Sequence, residues 1–121
     1  MPTRPILVVE DNDDARETLL TLLAAEGYAV VGARDGNEAL AYLRSGPASL
    51  IILDLTMDGM SGPAFLAARE TNPTVARIPV VVWSAFMPED LPNVAEYVVK
   101  GGRPQQLLKV VARFCLQDGA H

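Results

Sequence analysis

One acidic residue inside an apolar run constrains this chain more than any other feature. Residues 50–55 read LIILDL, which has the length and composition of a buried strand in a parallel sheet. Burying an unpaired charge costs free energy, so Asp54 must be paired, bind a metal ion or lie at an open strand end. Residues 56–63 contain two glycines and a proline, which favour a loop and predict that Asp54 ends its strand. The alternative is that Asp54 only caps this loop by accepting hydrogen bonds from backbone amides.

Length and composition predict one domain, residues 1–121, with a single core. The net charge of −5 and the pI near 4.7 argue against direct binding of nucleic acid or of an anionic membrane surface. The single cysteine, Cys115, allows no internal disulfide, and neither a signal peptide nor a membrane-spanning apolar run is visible. These features predict a cytoplasmic protein. The only histidine, His121, is the last residue, which argues against histidine-based catalysis and a phosphohistidine carrier.

Apolar runs and helical patterns alternate along the chain. Short runs rich in β-branched residues predict strands, and leucines and alanines at helical spacing predict the helices between them. The alternation predicts an α/β protein with a mostly parallel, doubly wound sheet that carries helices on both faces. The predicted strands are 6–9, 29–33, 50–55, 78–83 and 96–99, and the predicted helices are 14–26, 38–45, 63–71 and a last one from 104.

Polar residues follow four of these strands at the point where each strand ends. In open α/β sheets, ligands bind beyond the carboxyl ends of the strands, so these side chains are expected to converge at one edge of the sheet. They are Glu10 and Asp11 after the first strand, Asp54 after the third, Ser84 after the fourth and Lys100 after the fifth.

The chemistry of these groups suits a phosphoryl group and a hard metal ion. Converging carboxylates repel one another, and Mg²⁺, which prefers oxygen ligands and takes one or two protein carboxylates, relieves that repulsion. Lys100 adds a positive charge and Ser84 adds a hydroxyl donor, which together with the metal form a receptor for a tetrahedral dianion. Asp54 has the chemistry of a nucleophile that forms an aspartyl phosphate.

Four short motifs, in order and with fitting spacing, resemble the receiver domain of response regulators in two-component signalling. The resemblance covers nearly the whole chain. It implies a flavodoxin-like fold with strand order 2-1-3-4-5, like that of single-domain chemotaxis regulators. The motifs are ILVVED at 6–11, LDL at 53–55 followed by Met57, Met60 and Gly62, SA at 84–85, and YVVK at 97–100.

The resemblance implies the roles of the residues that handle the phosphoryl group. Asp54 is the phosphoacceptor, and Lys100 contacts the phosphoryl group. Mg²⁺ is bound by Asp11, Asp54 and the backbone carbonyl of Thr56, while Glu10 acts through water. A receiver of this kind is not an enzyme in the usual sense, but it assists its own phosphoryl transfer and dephosphorylation.

The resemblance also implies how the signal enters and leaves. The phosphoryl donor is a phosphohistidine on a sensor histidine kinase or a histidine phosphotransfer protein. Ser84 is the switch hydroxyl and Tyr97 is the switch aromatic, and together they change a surface that an unknown downstream protein recognises. The sequence shows no second domain with a DNA-binding or catalytic output.

Three positions depart from the family pattern. Gly101 follows Lys100 where the family usually has proline, often with a cis bond, so we predict a trans bond here. The stretch between the fourth and fifth strands is short and contains Pro88 and Pro92, which predicts a shortened or missing fourth helix. Asp58 replaces a usual proline and adds negative charge near the acceptor loop.

Four other residues have structural interpretations. Asp13 is predicted to be the N-cap of the first helix, and Asp14 is predicted to complement the helix dipole. Trp83 is predicted to pack in the core beside the site. Cys115 is predicted to lie in the core, because it follows the apolar pattern of the last helix.

Three other functions remain open on the sequence alone. A pseudo-receiver keeps the fold and binds a partner without phosphorylation, and the Gly101 substitution and the short fourth-helix region are compatible with it. An aspartate-nucleophile phosphohydrolase would use the Asp-x-Asp of Asp11 and Asp13, but it leaves Asp54 unexplained. Flavin binding has weaker support, because no phosphate-cradling loop follows the first strand.

Overall fold

Five parallel strands form the centre of the protein. The computed structural model describes residues 4–55, 62–85, 94–101 and 103–117. The strand order is β2-β1-β3-β4-β5, and every neighbouring pair is parallel, as predicted. The strands are β1 Ile6–Val9, β2 Val30–Ala33, β3 Leu50–Leu53, β4 Val80–Ser84 and β5 Glu96–Val99.

Helices cover both faces of the sheet. Within the described part of the chain, no helix is long and apolar enough to cross a membrane. The helices in this part are α1 Asp13–Ala25, α2 Gly36–Ser45, α3 Gly62–Arg69, α4 Pro73–Ala76 and α5 Pro104–Gln117.

The core has two layers because side chains of a strand alternate between the faces of the sheet. In β1, Leu7 and Val9 join one layer, while Ile6 and Val8 join the other. The first layer is completed by α2, α3 and α4, and the second by α1 and α5. The buried helical side chains are Ala39, Leu43, Phe65, Leu66 and Val75 in the first layer, and Leu19, Leu23, Leu107 and Val111 in the second.

The start of α1 differs from the prediction. Asn12, not Asp13, is the N-cap, and its side-chain oxygen accepts a hydrogen bond from the amide of Ala15 at 2.8 Å. Asp13 lies in the first turn, where its carboxylate pairs with Arg16 at 2.6 Å. Asparagine and aspartate are both good N-caps. The helix can therefore start one residue earlier than predicted and still have a capping side chain. The other end is as predicted, with Gly27 at φ +96° after the last turn.

The short helix α4 was not predicted as a helix. Asn72 caps it by accepting hydrogen bonds from Thr74 and Val75, and Pro73 occupies its first turn. This helix precedes β4, whereas the predicted shortened or missing fourth helix belongs after β4. That prediction falls on residues 86–93, which lie outside the described residues, as do Thr56 and Asp58.

Candidate functional site

The sheet itself fixes the backbone of the candidate site. In three of the four ladders, one hydrogen bond continues the pairing beyond the carboxyl ends of the strands. Asp54 donates its amide to the carbonyl of Val9 at 3.0 Å, and Glu10 donates to Ala33 at 3.0 Å. Lys100 donates its amide to the carbonyl of Ser84 at 2.9 Å. The polar residues predicted to converge are therefore held at one edge of the sheet.

Three carboxylates meet at this edge. Glu10, Asp11 and Asp54 each offer an oxygen, and these oxygens all lie within 4.8 Å of one another. Glu10 is fully buried, Asp54 is 5% exposed and Asp11 is half-buried. Clustered carboxylate oxygens are hard ligands of the type that Mg²⁺ prefers, so the donor set fits the predicted metal.

Lys100 brings the positive charge to the cluster. Its ammonium donates to Glu10 Oε1 and lies 3.3 Å from Asp54 Oδ2. The same ammonium lies 4.8 Å from the centroid of the Trp83 ring. The side chain of Lys100 is 23% exposed, so most of this charge is removed from solvent. Lys100 is placed to neutralise charge on Asp54 or on a group bound to it.

The charges of the cluster and its burial shift the pKa values of Glu10 and Lys100. Burial raises the pKa of Glu10 to about 7, with a further rise from Asp54, although hydrogen bonds from Lys100 and the Asn12 amide lower it. Burial acts to lower the pKa of Lys100, but its bond to Glu10 and the charge of Asp54 outweigh burial and raise it. Lys100 therefore stays protonated at neutral pH. If the pair binds one more proton, that proton goes to the carboxyl group of Glu10.

The two predicted switch residues lie on neighbouring strands. Ser84 is 1% exposed at the end of β4. Tyr97 is half-buried on β5 and packs against the first core layer. In the parallel pairing of β4 with β5, Tyr97 is the partner of Val82. Since Val82 and Ser84 are two residues apart, Tyr97 and Ser84 lie on the same face of the sheet.

The turn after Lys100 follows the prediction. The described residues contain no cis peptide bond, so the bond between Lys100 and Gly101 is trans. Gly101 has φ +86°, which residues with a side chain rarely adopt. The glycine at this position is therefore explained by the turn itself.

Sequence reasoning missed several contacts that support the cluster. Asn12 donates its amide to Glu10 Oε2 at 3.2 Å, and Arg16 donates to the carbonyl of Glu10 at 2.9 Å. The contact of Trp83 with Lys100 depends on strand register, which no local pattern reveals. Trp83 does pack against the second core layer, as predicted, and so does Cys115.

Fold and site together define a class of protein. A five-stranded parallel sheet in the order 2-1-3-4-5, with three carboxylates and a lysine at the carboxyl edge, is the architecture of a receiver domain. Residues 6–113 match the family model of the response regulator receiver domain. The chain therefore belongs to the response regulator receiver family.

Individual proteins are also similar in sequence to this chain. The chain is 32% identical to Protein Rrf1 of Nitratidesulfovibrio vulgaris over 115 residues, which cover 93% of this chain and 83% of that protein. It is 36% identical over 86 residues to a gliding motility regulatory protein of Myxococcus xanthus, covering 70% of this chain but only 11% of that protein.

A solved structure of similar sequence has the same fold. The response regulator TrrA of Thermotoga maritima, crystallised in complex with Mg²⁺ and BeF, superposes with a TM-score of 0.84 at 32% identity. The match covers 92% of this chain and 98% of TrrA. The similarity thus extends over essentially the whole described sheet and its helices.

Proposed function

We propose that this chain, as one receiver domain over residues 1–121, accepts a phosphoryl group on Asp54. The observation that carries the proposal is the position of Lys100, whose ammonium contacts both Asp54 and Glu10 inside a cluster of three carboxylates. A nucleophilic carboxylate beside a fixed cation is the arrangement that phosphoryl transfer requires.

The donor is a phosphohistidine on a sensor histidine kinase or a histidine phosphotransfer protein. A carboxylate oxygen of Asp54 attacks phosphorus, an oxygen–phosphorus bond forms, and the phosphorus–nitrogen bond breaks with its electron pair on the departing imidazole. Lys100 moves from pairing with Glu10 towards the phosphoryl oxygens and neutralises their charge.

Magnesium is the proposed cofactor of this step. Asp11 and Asp54, with the backbone carbonyl of Thr56, would hold the ion, and Glu10 would act through water. Bound Mg²⁺ supplies positive charge that offsets the three carboxylates and the incoming phosphoryl oxygens. Asp11 is the most accessible of the three acids, so it is the one best placed to meet a hydrated ion.

The phosphoryl group then acts through Ser84 and Tyr97. The hydroxyl of Ser84 donates to a phosphoryl oxygen, which draws the end of β4 towards the site, and Tyr97 turns inward to fill the space. Charge-assisted hydrogen bonds contribute roughly 1.5–3 kcal/mol each. Two of them come close to the roughly 5.5 kcal/mol that moves a two-state equilibrium from 1:99 to 99:1. The altered surface binds a downstream protein.

The deciding experiment is mass spectrometry after incubation with acetyl phosphate, with and without Mg²⁺. Wild type is expected to gain one phosphoryl group only with Mg²⁺, and Asp54→Asn is expected to gain none. A gain in Asp54→Asn equal to that of wild type would exclude Asp54 as the acceptor. Absence of any gain, together with no effect of Mg²⁺ on melting temperature or Trp83 fluorescence, would exclude an active receiver.

One observation favours the pseudo-receiver as a second candidate. Lys100 already pairs with the buried Glu10, so the cluster has an internal counter-charge. A protein with this pair can keep its fold and bind a partner without phosphorylation. The phosphohydrolase gains no such support, because Asp13 is 77% exposed and pairs with Arg16 instead of joining the cluster.

A further inference from the structure

We propose that Trp83 is a positioning residue that holds the ammonium of Lys100 at the carboxylate cluster. The ammonium lies 4.8 Å from the centroid of the indole ring, inside the range of a cation–π interaction. Tryptophan has the most favourable ring for such a contact. This inference rests on the proposed function, because it assigns to Trp83 the placement of the group that serves phosphoryl transfer.

The sheet explains how the two side chains meet. Trp83 of β4 is level with Val98 of β5 in the parallel register. Lys100 is two residues beyond Val98, so its side chain leaves the backbone on the face of the sheet that carries Trp83. The same ammonium therefore contacts both the ring and the carboxylates of Glu10 and Asp54.

The turn after Lys100 explains why contact with the ring would help to hold the ammonium in place. Lys100 is followed by Gly101 at φ +86°, and glycine restricts the backbone less than any other residue. A flexible four-carbon side chain on such a turn loses much rotamer freedom when it is fixed in one place. Contact with a rigid ring that is itself packed against the second core layer reduces the number of places the ammonium can occupy.

A neighbouring cavity shows where the ammonium would otherwise go. A cavity of about 390 Å³ lies between α1 and α5, and both Trp83 and Lys100 line it. Asp14, an exposed residue of α1, lines the same cavity and offers a competing carboxylate. Removing the ring would enlarge this space next to the ammonium and favour its movement away from Asp54.

The sequence permits a direct spectroscopic test, because it contains only two lysines, Lys100 and Lys109. In protein labelled with ¹³C-lysine, the ε-methylene protons of Lys100 are expected upfield, since they adjoin an ammonium nitrogen that lies over the indole ring at 4.8 Å. Lys109 is exposed on α5 and serves as the internal reference. The upfield shift should vanish in Trp83→Leu and persist in part in Trp83→Phe. A Lys100 signal at the position of Lys109 in wild type overturns the inference, whether or not any variant folds.

A second measurement tests the effect on phosphoryl transfer. The Mg²⁺-dependent rate with acetyl phosphate is expected to fall about three- to tenfold in Trp83→Leu, and Trp83→Phe should restore most of it. The matched control is Leu108→Ala, which removes apolar area from the same cavity without removing the ring. Equal rates in wild type and Trp83→Leu, or an equal loss in Leu108→Ala, overturn the inference.

The two measurements separate this inference from the proposed function. If no protein of the set is phosphorylated, the proposed function fails, while the lysine spectra still decide whether Trp83 holds Lys100. If wild type is phosphorylated but its Lys100 signal is not shifted upfield, the proposed function stands and the role of Trp83 is wrong.

Discussion

Lys100 Nζ lies 3.3 Å from Asp54 Oδ2, although 46 residues separate them in the sequence. The contact joins the end of β5 to the end of β3 across β4. It exists because parallel strands bring their carboxyl ends to one edge, where a long side chain can cross a neighbouring strand. The fold therefore places the ammonium of Lys100 beside Asp54. Removing this ammonium should change the stability of the protein and its proposed phosphorylation.

Lys100→Met should destabilise the metal-free protein by only about 1 kcal/mol at neutral pH. The substitution leaves the fully buried Glu10 without its cation, and breaking a buried ion pair costs about 3–5 kcal/mol when the remaining group stays charged. Burial already raises the pKa of Glu10 to about 7, so without Lys100 this carboxyl takes up a proton and avoids most of that cost. Urea denaturation in EDTA would measure it, with Lys109→Met as the control on an exposed lysine. A loss no larger than that of the control would contradict this prediction.

Asp54→Asn should have the opposite effect in the absence of metal. Three carboxylates face one ammonium, so removing one carboxylate relieves repulsion and should stabilise the protein by about 1 kcal/mol. The variant should also gain less stability from Mg²⁺, because it has lost a proposed ligand. Thermal melts with and without Mg²⁺ would show both effects. Equal stabilisation of wild type and variant by Mg²⁺ would count against a metal site at Asp54.

The sheet and the cluster could be predicted because their signals are local. Buried parallel strands appear as continuous apolar runs such as Leu50–Leu53, and the polar residue that ends each run marks the edge of the sheet. The order of the strands came from resemblance, and the structure confirms it. Exact helix starts were less predictable, because Asn12 and Asp13 are both good N-caps.

The features that escaped prediction are either very short or depend on distant parts of the chain. The helix Pro73–Ala76 is too short to show a helical period. The contact between Trp83 and Lys100 follows from strand register, which the sequence does not display. Arg69 is buried at the end of α3, where a charged residue is ordinarily predicted to face solvent.

Arg69→Met should therefore destabilise the protein by about 2–4 kcal/mol. Arg69 is 3% exposed, and its Nη2 donates to the carbonyls of Ala76 and Ile78, both at 2.9 Å. The substitution leaves two carbonyls without this donor, and each unsatisfied buried group costs about 1–3 kcal/mol. Chemical denaturation would measure the loss, with Arg44→Met on the exposed side of α2 as the control. A loss equal to the control would show that this buried arginine contributes nothing specific.

Glu96→Gln should cause a small, pH-dependent loss of stability. The hydrogen bond from Arg113 at 2.7 Å lowers the pKa of Glu96, and it ties β5 to α5. A lowered folded-state pKa contributes stability above the ordinary carboxyl range, and this contribution is lost as pH falls through the folded value. Because both side chains are partly exposed, the effect at pH 7 should be only about 0.5 kcal/mol and should shrink with salt. A difference between the two proteins that stays constant down to pH 2 would contradict the assignment.

Ser84→Ala should leave phosphorylation of Asp54 intact but abolish the structural change that follows it. Ser84 is 1% exposed at the end of β4, on the same face as Tyr97, and we propose that its hydroxyl responds to a phosphoryl group on Asp54. The variant should still gain one phosphoryl group, but the change in the environment of Tyr97 should be lost. Ring resonances of Tyr97, recorded before and after phosphorylation, would measure that change. Ser84→Thr is the matched control, because it keeps the hydroxyl and should keep the response. If Ser84→Ala showed the same Tyr97 change as wild type, another group would have to couple Asp54 to Tyr97.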